Sequence, residues 1–319
     1  MLFVSAIAMS TLVAGPQDAK GQVPSALVAK LEVSSTRISP LEPVQVVLLV
    51  QNNSNQPVAV NASWEMAREI RKDAGKWEIY YPAAVPIAGP SIPHIMRFLP
   101  GQVRRFETYF DFDSAGNRKH AFSEPGSVYI RVSLGTIVSE AVNIEVQRPT
   151  GLDAQALEEL NTTGLAKYFA IDMTNRYLLS KTSRALLEKS SATGDGEHLT
   201  RIHKDEEQHV AESQSAEAQL HAFLGKYPTT IYAKYAKLAL GEIALEGTSG
   251  DPDMQKARTI FEELRKRNDL SDAATFELGV LEEREGNQQQ AATHFQELGN
   301  SGKNPFYRAM ANRRLQHSQ

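Results

Sequence analysis

The last third of the chain repeats itself, and this constrains the fold more than any other feature. Aligning LALGEIA, which begins at Leu238, with FELGVLE, which begins at Phe276, places Ala236, Leu240, Gly241 and Ile243 on Ala274, Leu278, Gly279 and Leu281, a shift of 38 residues. Ala257, Phe261 and Leu264 then fall on Ala291, Phe295 and Leu298 at a shift of 34. The difference of four is an insertion in the turn GTSGDPD, Gly247 to Asp253. A period of 34 with small residues at recurring positions reads as stacked helix-turn-helix units, because one such unit cannot bury its apolar face alone. The class of work such a stack does is holding a partner.

The helix boundaries follow from capping chemistry. Asp251 before Pro252 and Asn304 before Pro305 each put a capping side chain ahead of a proline at the first helical position, and Ser271 and Asn287 are read as two further caps. Helices are predicted at about 213–226, 231–246, 252–267, 272–285, 288–299 and 305–316. The final one aligns Ala311 and Leu315 with Ala274 and Leu278, and is expected to cap the open end of the stack.

Residues 27–148 carry a period of two instead. Val44, Val46, Leu48 and Val50 alternate, as do Val128, Ile130 and Val132, and Val142, Ile144 and Val146. With VAVNA, KWEIYY and RRFETYFDF between them, about seven short strands bounded by turn residues predict an antiparallel β-sandwich. WEMAREIRKDAGK, Trp64 to Lys76, has helix-forming composition and is expected as a loop or short helix between strands. Pro149 and Gly151 mark a boundary, and residues 151–212 read as a helical linker region. Within it Thr150 and Asp153 are expected to open a helix, and Leu165 to Lys189 supports a long helix with Phe169, Met173 and Tyr177 on one face. A polar stretch around His203 is either an exposed helix or disordered.

Two resemblances rest on these residues. Ser39-Pro40-Leu41-Glu42-Pro43-Val44, the turn Asn52-Asn53-Ser54, and Glu124-Pro125-Gly126-Ser127-Val128-Tyr129 resemble the immunoglobulin-like domains of secreted bacterial proteins. This implies a sandwich fold in an extracytoplasmic setting, and no activity. Leu278-Gly279, Gly286, Ala291 and Phe295, with Ala216 and Pro228, resemble tetratricopeptide repeats, although Thr275 and Glu282 stand where that family prefers Trp and Tyr. The resemblance implies a concave groove that holds a peptide or protein surface. The expected fold class is therefore β plus α: an immunoglobulin-like sandwich at 27–148 followed by tetratricopeptide-like repeats at 213–319.

Residues 2–15, LFVSAIAMSTLVAG, form an apolar run too short to span a bilayer as a helix and followed by polar PQDAKGQ. It has the shape of a secretory signal, though no positively charged segment precedes it. Residues 1–21 are read as signal and cleavage zone, with cleavage after Ala14 or Gly21, so the mature chain is expected in the periplasm, envelope or exterior of a bacterium, without an integral span. A net charge of −4 gives no basic footprint for nucleic acid. The absence of cysteine excludes disulfides, thiol catalysis and Cys-ligated zinc.

Catalytic and metal patterns are incomplete. Asp111-x-Asp113-x-x-Gly116 begins like a calcium loop, but Ala115 and Phe122 stand where ligands are required, so it reads as a turn. His198, His203, Glu207 and His209 cluster without an HExxH pair and read as a solvated linker. No GxSxG, SxxK or Walker A motif occurs, and no cofactor, metal or catalytic residue is expected. His94 or His120 beside Asp111 and Asp113 would be the first place to seek an enzyme's site.

The reading is a non-enzymatic exported scaffold that binds a protein or peptide partner, with Tyr232, Tyr235 and Arg308 as binding residues on the array. The alternative is a carbohydrate- or cell-surface-binding module, with Trp64, Trp77, Tyr80 and Tyr81 exposed on the sandwich and the helices mediating assembly.

Overall fold

Strand β3 (Val44–Asn52) organises the N-terminal half. Its Val44, Val46, Leu48 and Val50 project to one face and are fully buried. In the computed structural model, which describes residues 26–62, 66–73, 75–80, 94–111, 120–169, 215–247, 252–267 and 269–317, β3 pairs antiparallel with β1 (Leu27–Val33) on one side and β8 (Val103–Phe110) on the other. A second sheet has the order β2 (Arg37–Ile38), β11 (Val142–Val146), β9 (Gly126–Leu134), β5 (Ala67–Lys72), β6 (Glu78–Tyr80), with β10 (Ile137–Val138) hairpinned onto β9. Its pairs are antiparallel except β2 with β11, which run parallel. Strands β4 (Val58–Ala62) and β7 (His94–Phe98) form a third, two-stranded sheet. One apolar core joins all three, from Val44, Val46 and Leu48 of the first to Val128, Ile130 and Ile144 of the second and Val60 and Phe98 of the third.

The segment expected as a loop or short helix is strand β5, an interior strand between β6 and β9. Its helix-forming composition is overridden by cross-strand partners. Glu69 stands opposite Arg131 and accepts two hydrogen bonds from its guanidinium, at 2.7 and 2.9 Å, while Ile70 turns into the core. Strands β1, β2, β7 and β10 add to those foreseen.

The C-terminal half holds seven helices among the described residues: α1 (Gly151–Thr163), α2 (215–226), α3 (Ala233–Glu246), α4 (Met254–Arg265), α5 (Ser271–Arg284), α6 (Gln288–Ser301) and α7 (Pro305–His317). A 3₁₀ turn, Leu165–Phe169, opens the stretch expected as one long helix, and the remainder of that stretch lies outside the described residues. The repeat has a direct physical cause. A Cβ on Gly241 would meet the Phe261 ring at 2.5 Å, and one on Gly279 would meet the Phe295 ring at 2.5 Å, so each glycine lets the second helix of its pair approach the first. The insertion lies where the offset puts it: seven residues (247–253) join α3 to α4, whereas three (285–287) join α5 to α6.

The caps differ in detail. Asp253 rather than Asp251 accepts from an amide of the first turn of α4, that of Lys256, at 2.9 Å; Asp251 lies outside the described residues. Asn304 caps α7 through the Phe306 amide at 3.0 Å. Ser271 is the first residue of α5, behind Leu270, and neither makes a capping bond there. The Asn287 side chain donates to Glu282 at 2.8 Å, and so serves a buried carboxylate instead of the helix end. At α1, Thr150 makes no capping bond and Asp153 accepts from the Ile231 amide at 3.0 Å, tying α1 to the start of α3.

The two halves meet face to face. Val47 and Leu49 alternate with the core-facing residues of β3, and with Tyr109 of β8 they belong to the apolar cluster of α3 to α7. Helix α7 packs on α6 and α5 and also against β1, β3 and β8, so the end of the stack is covered by the sheet as well as by α7 itself. No helix of the described residues is long and apolar enough to cross a membrane.

Candidate functional site

The seam between the halves is built around the turn Ser39-Pro40-Leu41-Glu42-Pro43. Leu41 adopts the left-handed conformation at φ 66°, which a non-glycine residue sustains only where its surroundings hold it. Its amide donates to the Phe122 carbonyl at 2.9 Å, and its side chain enters a helical cluster with Leu160, Phe223, Tyr227, Tyr232 and Leu240. Only 3% of Leu41 remains exposed, so it is a core residue of the helical half although the chain supplies it from the β half.

Glu42, the next residue, carries the polar part of the seam. Its Oε1 accepts from the Tyr235 hydroxyl at 2.8 Å and lies 3.1 Å from Lys234 Nζ, and its Oε2 accepts from the Ser39 amide at 2.6 Å. Lys234 also reaches Asp269 at 3.1 Å. Burial, reinforced by the Glu42 carboxylate, pushes the Tyr235 hydroxyl well above its ordinary value, so it remains a donor. Asn304 Nδ2 donates to Gln45 Oε1 at 3.2 Å, Arg308 approaches Glu32 at 3.6 Å, and Arg313 pairs with the nearly buried Glu107.

All three residues read as partner-binding are thus placed at or beside this seam. Tyr235 donates to the Glu42 carboxylate and Arg308 lies within ion-pair distance of Glu32, both in the β half. Tyr232 is fully buried in the cluster that receives Leu41, and its hydroxyl has no hydrogen-bond partner. Burial first, then the Glu42 and Asp153 carboxylates, raise its pKa. The array face that sequence reasoning reserved for a partner holds the chain's own β half.

The aromatics of the alternative reading separate. Tyr80 is 3% exposed, not a surface residue: its hydroxyl donates to Asp111 Oδ1 at 3.1 Å and accepts from the Asp111 amide at 3.0 Å, and its ring stacks beside Phe110. Trp77 is half-buried on the outer face of the second sheet, with the Arg131 guanidinium 4.2 Å and the Arg71 guanidinium 4.8 Å from its ring centre. Trp64 and Tyr81 lie outside the described residues.

His120 is buried, and that burial lowers its pKa to about 3; its Nδ1 accepts from the Phe122 amide at 3.1 Å. A neutral histidine so placed is a structural acceptor. Asp113, Gly116 and the His198–His209 cluster lie outside the described residues, and Asp111 is occupied with Tyr80. Among the described residues, no group of three or more His, Asp or Glu side chains is arranged to hold a metal ion.

No family model and no curated protein matches the chain. Among solved structures it is similar to a β-glucosidase from Erythrobacter marinus (14% identity over 38% of this chain and 15% of that one, TM-score 0.25). It is also similar to an alkylpurine DNA glycosylase from Pseudomonas fluorescens (12% identity, 39% and 31%, TM-score 0.27). A third likeness is to a sporulation control protein from Bacillus subtilis (13% identity, 43% and 55%, TM-score 0.25). The chain spans between 15% and 55% of the lengths of these proteins, and likenesses of this size carry no argument about fold or activity.

Proposed function

We propose that this chain is a non-enzymatic, exported scaffold of the bacterial envelope or exterior, in which an immunoglobulin-like β part and a tetratricopeptide-like array act as one unit to hold a protein or peptide partner. The observation that carries the reading is the seat of Leu41 and Glu42. The array takes an apolar side chain into a slot between helices and binds the adjacent carboxylate with Tyr235 and Lys234, which is the chemistry of gripping a polypeptide segment. Here the β half is what it grips, and the seam fixes the two halves against each other. A partner then meets the exposed helix surface that the seam leaves open.

In-cell cross-linking of the full chain tests this, with fractionation and mass spectrometry. Cross-links to one envelope protein are expected from Lys237 and Lys266 on the array. Cross-links confined to Lys72 of β5 and Lys76 of the β5–β6 connection would overturn the assignment to the array. A second reading, surface binding through the β half, is favoured by one observation: Trp77 stands on the outer face of the second sheet, which no helix among the described residues is seen to cover, beside Ile79, which is 52% exposed.

A further inference from the structure

On the outer face of the second sheet, strand register sets three chemistries in one row. Arg71 of β5 lies opposite Tyr129 of β9, which lies opposite Asn143 of β11. Neighbouring strands stand ~4.8 Å apart, so the row runs about 10 Å from guanidinium strand to amide strand, roughly the length of a disaccharide. Val128, Ile130 and Val132 of β9 point into the core, which leaves Tyr129 and Arg131 on the outer face.

Arg71 is held unlike its neighbours. Its guanidinium carbon is 4.8 Å from the Trp77 ring centre and 4.8 Å from the Tyr129 ring centre, so two aromatic rings fix the group. Its Nε is buried and has no hydrogen-bond partner. The adjacent charges are already matched: Arg131 is bidentate to Glu69, Lys72 pairs with Glu124 at 3.0 Å, and Arg37 pairs with Glu145 at 3.1 Å. An aromatic-braced guanidinium with unused N–H donors is preorganised for a planar or tetrahedral monoanion, which it can take through two parallel hydrogen bonds. Among the described residues no acid is paired with the Arg71 guanidinium, which fits a single negative charge. It does not fit a polyphosphate, which needs several cations.

We propose that Arg71, Trp77 and Tyr129, with Asn143 at the far end of the row, form a binding site for an acidic sugar, one that carries a carboxylate or a sulfate monoester. Arg71 takes the anionic group, Trp77 and the exposed Ile79 offer apolar surface to the ring, and the Tyr129 phenol and Asn143 amide meet its hydroxyls. The site deepens the surface-binding reading and is independent of what the array holds, so the cross-linking outcome above and the outcome here are separate.

The test is calorimetry on the full chain with tetragalacturonate, its methyl ester, the neutral galactose tetramer and inorganic sulfate. Saturable binding of the uronate is expected, with the ester and the neutral sugar weaker by about tenfold or more, the worth of one charge-assisted hydrogen bond. Arg71→Gln should lose binding to the same extent. Arg71→Lys, which keeps the charge but not the paired donors, should fall between. The ester comparison uses the unaltered protein and stands even if a variant folds poorly. Equal binding of ester and acid, unchanged binding by Arg71→Gln, or no binding at millimolar uronate would each overturn the site. Inorganic sulfate binding as tightly as the uronate would reduce it to a place for an adventitious ion only.

Discussion

The glycines at the helix crossings make a prediction whose sign differs along one chain. Replacing a glycine by alanine inside a helix stabilises it by about 1 kcal/mol where there is room, since the unfolded chain loses freedom and the helix gains a better former. At Gly279 there is no room: the added methyl would stand 2.5 Å from the Phe295 ring, which is 1% exposed. That ring has nowhere to go, because Phe276 is 5.6 Å away on one side and is itself braced by Tyr307 at 5.8 Å. Overpacking of this kind costs about 1–3 kcal/mol, so Gly279→Ala should forfeit the propensity gain and be net destabilising by up to about 2 kcal/mol. At Gly299 the added methyl would meet Asn312 Oδ1 at 2.6 Å, but that is the tip of an exposed side chain that can swing away. Gly299→Ala should therefore keep most of the propensity gain. Urea unfolding followed by helical circular dichroism reads both: with a slope of about 2 kcal/mol per molar, the first midpoint should fall by up to roughly 1 M and the second should rise. Adding Phe295→Leu to Gly279→Ala should cost less than the sum of the two changes, because the clash is then gone. If both alanines raise the midpoint equally, the account of the repeat as glycine-against-phenylalanine packing is refuted.

Three further outcomes follow from the seam and the cores. Glu42→Gln leaves Lys234 without its partner across the seam and should cost about 1.5–3 kcal/mol, with faster hydrogen exchange at 39–43; unchanged exchange there would show that the seam does not depend on this carboxylate. Burial holds His120 at a pKa of about 3 against an ordinary 6.5, so its neutral form is the folded one. That contribution is complete above pH 6.5 and is lost as pH falls from 6.5 towards 3, by about 1.4 kcal/mol per unit, and His120→Gln should flatten this part of the acid-stability curve measured against the parent. Tyr232→Phe removes a buried hydroxyl that has no partner and should be neutral or stabilising by up to about 1 kcal/mol, whereas Tyr227→Phe removes a 3.0 Å bond to Glu159 and should destabilise; thermal melts of the pair decide.

What could be read before the structure depended on how far each signal reaches along the chain. The helix bounds were legible because glycine, proline and the apolar register act within a few residues, and the four-residue insertion sits in the connection where the offset placed it. Capping was less legible. Asn287 is the N-cap residue of α6, but Glu282, buried five residues earlier, claims its amide, and a tertiary demand of that kind leaves no mark on local sequence. Strand β5 was misread for the same reason. Glu69, Arg71 and Arg68 look like a helix surface until Arg131, Tyr129 and Thr108 arrive from elsewhere in the chain to pair with them.

The seam did leave a trace, in VQVVLLV. A strand with one wet face alternates apolar with polar residues, and Val44, Val46, Leu48 and Val50 supply the apolar half of that pattern. The intervening positions should then be polar, yet two of the three are Val47 and Leu49. An unbroken apolar run in an antiparallel strand means that both faces are covered. Val47 is 1% exposed, and it is covered by the helical array. The same reasoning applies to Leu41-Glu42. A leucine and an acid between two prolines read as a turn that opens a strand, and they are that, but a large apolar residue at the tip of such a turn needs a cavity. The cavity is the slot beside Tyr232, and the acid beside it accounts for Tyr235 and Lys234. The aromatic residues that looked like a waiting partner site are therefore explained within the chain, and the row at Arg71 is left, among the described residues, as a cationic and aromatic surface with no acid paired to its guanidinium.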